Sequence, residues 1–232
     1  MLNKVVIVFD LDDTLYNEID YLKSAYIEIA INLIKLDAVK CSVLELYNEM
    51  LFLFQAKKNV FSNIIEKYSI TAFTLNALIE QYREHKPNLI LSPETKELLE
   101  YLKINNAEIG MITDGRSIQQ RNKINALGID KYLNHIIISE EIESEKPSTL
   151  NYQFFVDKYG KDSNFIYVGD NVKKDFITPN KLEWLTVCLN DNGFNIHSQN
   201  ITISKEYLPK FRIDSLSLLK NIILENYIKK KF

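Results

Sequence analysis

The fold is decided by the stretch Val5-Val6-Ile7-Val8-Phe9-Asp10-Leu11-Asp12-Asp13-Thr14, an apolar run of strand length that stops at three carboxylates. A run that is apolar at every position, rather than at alternate positions, is typical of a strand buried on both faces of a parallel sheet. Residues directly after such a strand lie at the carboxyl edge of the sheet, where open α/β folds bind their ligands. The stretch therefore predicts a central parallel strand with a polar site at its end.

Further apolar runs of strand length follow at residues 108–113, 135–139, 165–169, 184–189 and 211–213. Helical patterns separate them, beginning at Ser92-Pro93, at residues 116–127 before Gly128, at residues 148–159 before Gly160, and from about Ser215. Strands that alternate with helices form right-handed βαβ crossovers. The sequence thus predicts an α/β protein with a doubly wound, mostly parallel, Rossmann-like sheet.

Residues 16–88 break this alternation, because they contain four amphipathic helical patterns and no strand pattern. One example is the stripe Leu22, Tyr26, Ile29 and Leu33, whose members recur three or four positions apart. A helical stretch inserted after the first strand cannot lie within the sheet, so it is expected to fold beside it as a small bundle. We predict a core domain of residues 1–15 plus 89–232 and an α-helical cap domain of residues 16–88.

Composition excludes several classes of protein. The 232 residues carry 28 Lys and Arg against 31 Asp and Glu, a formal net charge of −3 that argues against a nucleic-acid partner. No apolar run approaches the ~20 residues of a membrane span, so no membrane partner is expected. Cys41 and Cys188 lie far apart without a metal-binding spacing, which favours a cytoplasmic location. The three histidines also lack partner spacing, and none is expected to be catalytic.

Polar segments occur at four places where predicted strands end or helices begin. They are Asp10 to Thr14, then Thr113-Asp114-Gly115 followed by Arg116, then Lys146-Pro147, and finally Gly169-Asp170 with Asp175 five residues after Asp170. Because the carboxyl ends of parallel strands share one edge of the sheet, these segments are expected to converge.

The first segment, Asp10 to Thr14, is predicted to bind a cation. Three carboxylates within four residues, after a buried strand, repel one another strongly unless a counter-charge lies among them. Mg²⁺ is the hard, oxygen-binding ion that suits such a site, and Asp170 could add a carboxylate from a neighbouring strand. Asp10 and Asp12 are two residues apart and would point the same way, so one could be a nucleophile and the other an acid/base. The alternative is an acidic turn that caps the following helix.

The second and third segments suit an anion. Thr113 offers a hydroxyl, and the Asp114-Gly115 turn offers backbone N–H groups at a helix start. Lys146 offers a positive charge that could neutralise a phosphoryl group as charge develops on it.

On these residues the sequence resembles the haloacid dehalogenase-like hydrolase superfamily, whose four motifs match in order. The helical stretch between the first two motifs resembles the cap of the helical-cap subclass. The segment Thr113-Asp114-Gly115-Arg116 with Gln120-Arg121-Asn122-Lys123 is similar to members related to N-acylneuraminate-9-phosphatase and to nucleotidases.

The resemblance implies a role for each motif residue. Asp10 would attack phosphorus and form an aspartyl-phosphate, and Asp12 would protonate the leaving oxygen and then activate water. Thr113 and Lys146 would bind the phosphoryl oxygens, with Asp114, Gly115 and Arg116 beside the substrate. The Asp10 carboxylate, the Asp12 backbone carbonyl and Asp170 would hold Mg²⁺. Asp175 would act on the metal through water or orient Lys146.

The predicted function is therefore a Mg²⁺-dependent phosphatase for a small soluble phosphomonoester, acting as a monomer or a homodimer. Asp12 favours phosphoryl chemistry over carbon–halogen cleavage, because dehalogenases of the superfamily lack this second acid. A phosphomutase of the β-phosphoglucomutase type shares all four motifs and stays an alternative, although its cap signature is not evident at residues 16–19. A non-catalytic module that binds a phospholigand or a protein is the other alternative. Retention of Asp10 beside Asp12 argues against it.

Overall fold

The computed structural model describes residues 4–199 and 202–228, and within them six strands form one sheet. The strands are β1 (Val5–Phe9), β2 (Glu108–Thr113), β3 (His135–Ile138), β4 (Asn164–Gly169), β5 (Leu185–Leu189) and β6 (Phe211–Ile213). All neighbouring pairs are parallel, in the order β3-β2-β1-β4-β5-β6. The predicted doubly wound α/β sheet is confirmed.

Strand β1 lies at the centre of the sheet, with β2 on one side and β4 on the other. Its last residue, Phe9, is in register with Met111 of β2 and with Val168 of β4. The chain builds one half of the sheet through β2 and β3 and then crosses to the other half at β4. The boundary between β1 and β4 is therefore the topological switch point, where a crevice opens at the carboxyl ends of the strands.

Apolar side chains of β1 serve two separate cores. Ile7 and Phe9 belong to the hydrophobic cluster on one face of the sheet, and Val6 and Val8 belong to the cluster on the other. All four are fully buried. Successive strand residues point to opposite faces, so a strand covered on both faces must be apolar throughout. This is the physical reason that the run at residues 5–9 is unbroken.

Within the described residues, five α-helices accompany the strands. They are α5 (Pro93–Ile104), α6 (Ser117–Leu127), α7 (Thr149–Tyr159), α8 (Ile177–Lys181) and α9 (Leu219–Ile223). Ser92 caps α5 by accepting a hydrogen bond from the Thr95 backbone N–H, and α6 ends on Gly128 in the left-handed conformation, with φ of 61°. The helix expected from about residue 215 begins later, because a 3₁₀ turn (Leu216–Leu218) precedes α9.

The stretch between β1 and α5 contains four helices, α1 (Glu18–Lys35), α2 (Val43–Gln55), α3 (Val60–Tyr68) and α4 (Leu75–Glu84). They share a hydrophobic cluster of their own, which includes Leu33, Leu46, Met50, Ile64 and Leu78. Ser42 and Glu45 form a reciprocal capping box that starts α2. We call residues 16–88 the helical insert; its division from the core as a separate cap domain stays a prediction.

The insert contacts the core through α4 and α6. The side-chain amide of Asn122, on α6, donates hydrogen bonds of 3.1 Å to the carbonyl oxygens of Glu84 and His85 at the end of α4. No helix in the described part of the chain is both long enough and apolar enough to cross a membrane.

Candidate active site

Three buried carboxylates meet at the switch point of the sheet. Asp10 directly follows β1, Asp170 directly follows β4, and Asp175 lies five residues further on. One carboxylate oxygen from each lies within 4.8 Å of the others. All three residues are buried, and Asp175 is completely so. Sequence reasoning predicted that these residues would lie together, and the structure places them there.

Lys146 is embedded between two of these carboxylates. Its ammonium nitrogen lies 2.8 Å from Oδ1 of Asp10 and 2.8 Å from Oδ1 of Asp175. It also lies 3.3 Å from the hydroxyl of Tyr167, and the Lys146 side chain is fully buried. Burial alone would lower the pKa of Lys146, but Asp10 and then Asp175 raise it well above its ordinary value. Lys146 is therefore a fixed positive charge beside Asp10.

Asp10 and Asp170 hold protons more tightly than ordinary carboxyl groups. Burial raises the pKa of Asp10 to about 7, against the lowering effect of Lys146. Burial, together with the negative charges of Asp175 and Asp10, raises the pKa of Asp170 to about 9. With Lys146 as the ammonium group among the three carboxyl groups, the deprotonated cluster would carry an excess of negative charge, which a cation would relieve.

Asp12 lies outside this cluster and has its own partners. Lys123 donates to Oδ1 over 2.7 Å, the Tyr16 hydroxyl donates to the same oxygen over 2.5 Å, and Gln120 donates to Oδ2 over 2.8 Å. Burial alone would raise the pKa of Asp12, but Lys123 and these hydrogen bonds lower it below its ordinary value. Both oxygens of the Asp12 carboxylate are therefore engaged by protein groups.

Thr113 ends strand β2 beside Asp12. The amide of Gln120 that donates to Asp12 also donates to the Thr113 hydroxyl oxygen over 2.6 Å. Because Thr113 accepts this bond, its own hydroxyl hydrogen can be donated to a ligand oxygen. Gln120 therefore fixes both a candidate acid/base and a candidate phosphoryl-binding group.

Gly169 allows Asp175 to approach the end of β4. A Cβ atom at Gly169 would lie 2.5 Å from Oδ2 of Asp175, far inside van der Waals contact. The same carboxylate oxygen accepts a 2.9 Å hydrogen bond from the backbone N–H of Asn171. The absence of a side chain at Gly169 is thus required for the position of Asp175.

A cavity of about 100 Å³ opens over these groups. Its described lining residues are Asp10, Asp12, Asp13, Glu18, Thr113, Asp114, Asp170, Asn171, Lys174 and His197. Lys174 pairs with Asp114 over 2.7 Å, and Asp114 also accepts from the backbone N–H of Lys146. Burial, followed by the negative charge of Asp12, raises the pKa of Glu18 to about 8.

The segment that follows β5 supplies one wall of the cavity. Asn195 donates from its side-chain amide to Oδ2 of Asp170 over 2.9 Å, and the backbone N–H of Ile196 donates to Asp13 over 2.8 Å. His197 then lines the cavity. Sequence reasoning missed Asn195 and His197, because nothing in their spacing relates them to the four motifs.

Two predicted binding residues lie elsewhere. Arg116 pairs with Glu140 over 2.5 Å at the surface, and it lines a different cavity, outside the one described above. The backbone N–H of Gly115 donates to the hydroxyl of Ser139 over 2.9 Å. The expected anion contacts of Arg116 and Gly115 therefore receive no support from the geometry, since protein groups already occupy both.

Lys123 and Gln120 were present in the sequence motif but received no role. The buried positions of α6 are Gln120, Lys123, Ile124 and Leu127, which follow the spacing of a core-facing stripe. Two polar residues in such a stripe are the signal that could have identified them, because buried polar groups require partners.

The sequence matches known proteins along most of its length. The sequence profile of haloacid dehalogenase-like hydrolases matches residues 7–187. A glyceraldehyde 3-phosphate phosphatase from Methanocaldococcus jannaschii is 31% identical over 199 residues, which cover 78% of this chain and 82% of that protein.

Solved structures share the fold at lower identity. A HAD phosphatase from Thermococcus onnurineus has a TM-score of 0.58 at 19% identity, covering 94% of this chain and 97% of that one. A 2-haloacid dehalogenase from Pseudomonas syringae has a TM-score of 0.60 at 17% identity, covering 97% and 99%. A named phosphatase and a named dehalogenase therefore share this fold, so the fold does not distinguish the two reactions and only the residues of the site can.

Proposed function

The chain belongs to the haloacid dehalogenase-like hydrolase family and is a phosphoric monoester hydrolase, and from this premise we propose the following mechanism. The protein is a Mg²⁺-dependent phosphatase that hydrolyses a small soluble phosphomonoester in the cytoplasm through an aspartyl-phosphate. The observation that carries the proposal is that the carboxylates of Asp10 and Asp12 each pair with a different buried lysine. Asp10 lies 2.8 Å from the Lys146 ammonium, and Asp12 lies 2.7 Å from that of Lys123.

Asp10 is the nucleophile in this proposal. Its carboxylate oxygen forms a bond to phosphorus while the bond between phosphorus and the leaving oxygen breaks. Lys146 holds the Asp10 carboxylate in one orientation and places a positive charge where the phosphoryl group arrives. The hydroxyl of Thr113, which also lines the cavity, binds a phosphoryl oxygen.

Asp12 is the proton carrier. A dianionic phosphoryl group nearby favours the protonated form of Asp12, which then gives its proton to the leaving oxygen. In the second half of the reaction, Asp12 takes a proton from the water that attacks phosphorus. Inorganic phosphate leaves and the Asp10 carboxylate is regenerated.

The cluster of Asp10, Asp170 and Asp175 fits a Mg²⁺ ion. All three offer the hard oxygen donors that this ion prefers, and burial, with the neighbouring carboxylates, raises the pKa of Asp10 and Asp170 and so disfavours their ionised forms in the absence of a cation. Asp10 and Asp170 would hold the ion with the Asp12 carbonyl, while Asp175 is engaged with Lys146. When bound, Mg²⁺ supplies electrostatic stabilisation of the transferring phosphoryl group.

We further propose that residues 16–88 act as a cap that covers the leaving group. The cavity is small, and α1 of the insert begins at its rim with Glu18. Glyceraldehyde 3-phosphate is the first substrate to test, because the archaeal phosphatase that is 31% identical acts on it by name.

The test is release of inorganic phosphate from an aryl phosphate and from a panel that includes glyceraldehyde 3-phosphate, with Mg²⁺ and with EDTA. We expect Mg²⁺-dependent turnover that Asp10→Asn abolishes. Asp157→Asn is the matched control, since Asp157 is exposed on α7 and bonded only locally to Gln153. Full activity of Asp10→Asn would contradict the aspartyl-phosphate mechanism. A native chain inert on every phosphomonoester would instead favour a non-catalytic binding module.

A further inference from the structure

Glu18 holds a special position among the residues that line the cavity. It is the only one of the described lining residues that comes from the helical insert. It is the first residue of α1, and its backbone N–H donates to Oδ1 of Asp13 over 2.8 Å. The bond fixes the start of α1 against the first motif, so the Glu18 side chain is held at the rim of the cavity.

The Glu18 carboxyl also lies beside the proton carrier. The Lys123 ammonium nitrogen is 2.7 Å from Oδ1 of Asp12 and 3.6 Å from Oε1 of Glu18. Asp12 is the group proposed to protonate the leaving oxygen. The carbon atoms attached to that oxygen must then lie close to Glu18.

The chemistry of this wall favours a hydroxyl group. Protonated or ionised, a carboxyl group keeps an acceptor oxygen that a substrate hydroxyl can donate to. Of the described residues that line the cavity, six carry carboxyl groups and one, Lys174, is a lysine. A second anionic group on the substrate would therefore be repelled, and a bare alkyl group would offer the Glu18 carboxyl no hydrogen-bond donor.

We propose that Glu18 is the specificity-determining residue of this site and that it selects phosphomonoesters carrying a hydroxyl on the carbon next to the ester carbon. Alkyl groups and carboxylates at the same place are rejected. The inference rests on the proposed phosphatase function and deepens it, because it assigns the class of leaving group.

The test uses three substrates that differ at one group: 2-hydroxyethyl phosphate, ethyl phosphate and 2-phosphoglycolate. We measure kcat/KM by phosphate release with Mg²⁺ for the native chain, Glu18→Ala and Glu18→Gln. The native chain should prefer the hydroxyl over the methyl by about 10- to 100-fold, as for a hydrogen bond to a polar or charged partner. Glu18→Ala should bring this ratio close to one.

Glu18→Gln keeps an acceptor oxygen and adds an N–H donor. It should retain the hydroxyl preference and should improve 2-phosphoglycolate relative to the other two substrates. Asp20→Asn is the matched control, because it removes one carboxylate from the same turn of α1 at an exposed position outside the cavity lining. It should leave the ratios unchanged.

A native hydroxyl-to-methyl ratio near one, or an unchanged ratio in a folded and active Glu18→Ala, would overturn the inference and leave the phosphatase proposal standing. If Glu18→Ala does not fold, an unchanged rate on 2-phosphoglycolate relative to the other two substrates in Glu18→Gln would overturn it as well. If the native chain releases no phosphate from these substrates or from an aryl phosphate, the proposed function fails first, and the inference falls with it.

Discussion

Lys123 and Asp12 form an ion pair that joins helix α6 to the loop after β1. The Lys123 ammonium nitrogen lies 2.7 Å from Oδ1 of Asp12, and the Lys123 side chain is 2% exposed. The other carboxylate oxygen accepts from Gln120, one turn earlier on the same helix. Helix α6 therefore fixes both oxygens of Asp12 and holds the carboxylate in one orientation.

Lys123→Met is expected to lower kcat by about 10- to 100-fold, a part of the ~10²–10⁴-fold that general acid–base catalysis contributes. The substitution keeps the length of the side chain but removes the charge that orients Asp12. KM should change much less, because Lys123 does not line the cavity. Steady-state kinetics on the best substrate of the panel, with the melting temperature of each variant, measure this.

Arg121→Met provides the control, since Arg121 lies on the same helix and pairs with Glu141 at the surface. It should leave kcat within about twofold of the native value, as expected for a solvated ion pair. An equal loss of activity in both variants would mean that α6 tolerates no such change. A native kcat in Lys123→Met would contradict the orienting role.

The strands could be read from the sequence almost to the residue. The run at residues 108–113 is β2 as predicted, and β3, β4 and β5 differ by one residue at one end. The reason is local: a strand buried on both faces is apolar at each position, and polar residues end it. The four helices of the insert were predictable for a similar reason, because each has its own apolar stripe.

The site was only partly predictable. Asp10, Thr113 and Asp170 end adjacent parallel strands, so their meeting follows from strand order alone. His197 enters the cavity from an irregular segment, and no periodicity specifies where such a segment turns. Arg116 is near Thr113 in sequence, yet it points to Glu140, because proximity along the chain does not fix the direction of a side chain.

Mg²⁺ should stabilise the native protein, and Asp170→Asn should abolish most of that effect. Binding to the folded state alone adds about 2.7 kcal/mol at an ion concentration 100 times Kd. Without metal, Asp170→Asn should be more stable than the native chain, because it removes a carboxyl group whose pKa is raised to about 9 by burial and by the charges of Asp175 and Asp10. Thermal unfolding with EDTA and with a Mg²⁺ titration measures both effects.

Asp170→Asn should thus raise the melting temperature in EDTA but reduce the gain in melting temperature on adding Mg²⁺. A general loss of stability would not produce this combination, so the comparison tests for a metal site. Asp157→Asn, the exposed control on α7, should show the native response to Mg²⁺ and the native melting temperature in EDTA. Equal Mg²⁺ stabilisation of the native chain and Asp170→Asn would argue that the ion binds elsewhere.

Gly110, in the middle of β2, leaves room for the ring of Phe155 on α7. A Cβ atom at Gly110 would lie 2.2 Å from Cε1 of that ring. Phe155 is fully buried and cannot move without displacing its neighbours. Gly110→Ala should therefore destabilise the protein by about 1–3 kcal/mol, as overpacking of a close-packed core does. Urea unfolding measures the change.

A double-mutant cycle identifies the cause. Phe155→Leu is smaller and should relieve the contact, so the double variant should be more stable than the sum of the two single effects predicts. If the two losses of stability were additive, the cost of Gly110→Ala would come from the backbone conformation at residue 110 and not from contact with the Phe155 ring.

His85 follows α4 and packs against α1. Its Nε2 atom lies 2.7 Å from the hydroxyl of Ser24, its Nδ1 atom lies 2.6 Å from Oε2 of Glu28, and its ring meets that of Tyr21 edge-on, with centroids 5.7 Å apart. Burial lowers the pKa of His85, although Glu28 acts in the opposite direction. The folded protein therefore holds His85 neutral at a pH at which the unfolded chain begins to protonate it.

The sign of the pH dependence follows from this difference. An unfolded histidine has a pKa of about 6.5, so the unfolded state binds the proton first as the pH falls. The contribution of His85 to stability should be complete above that pH and should be lost progressively as the pH decreases toward the pKa of the folded state. In the native protein the free energy of unfolding should fall as the pH decreases from about 7.5 through the unfolded-state pKa of about 6.5. In His85→Gln this decrease should be smaller, as measured by urea unfolding at each pH. Lys86→Gln, at the exposed neighbouring position, should retain the native slope. A slope in His85→Gln as steep as the native one would show that other groups carry the acid sensitivity, since the substituted side chain cannot take up a proton in this range.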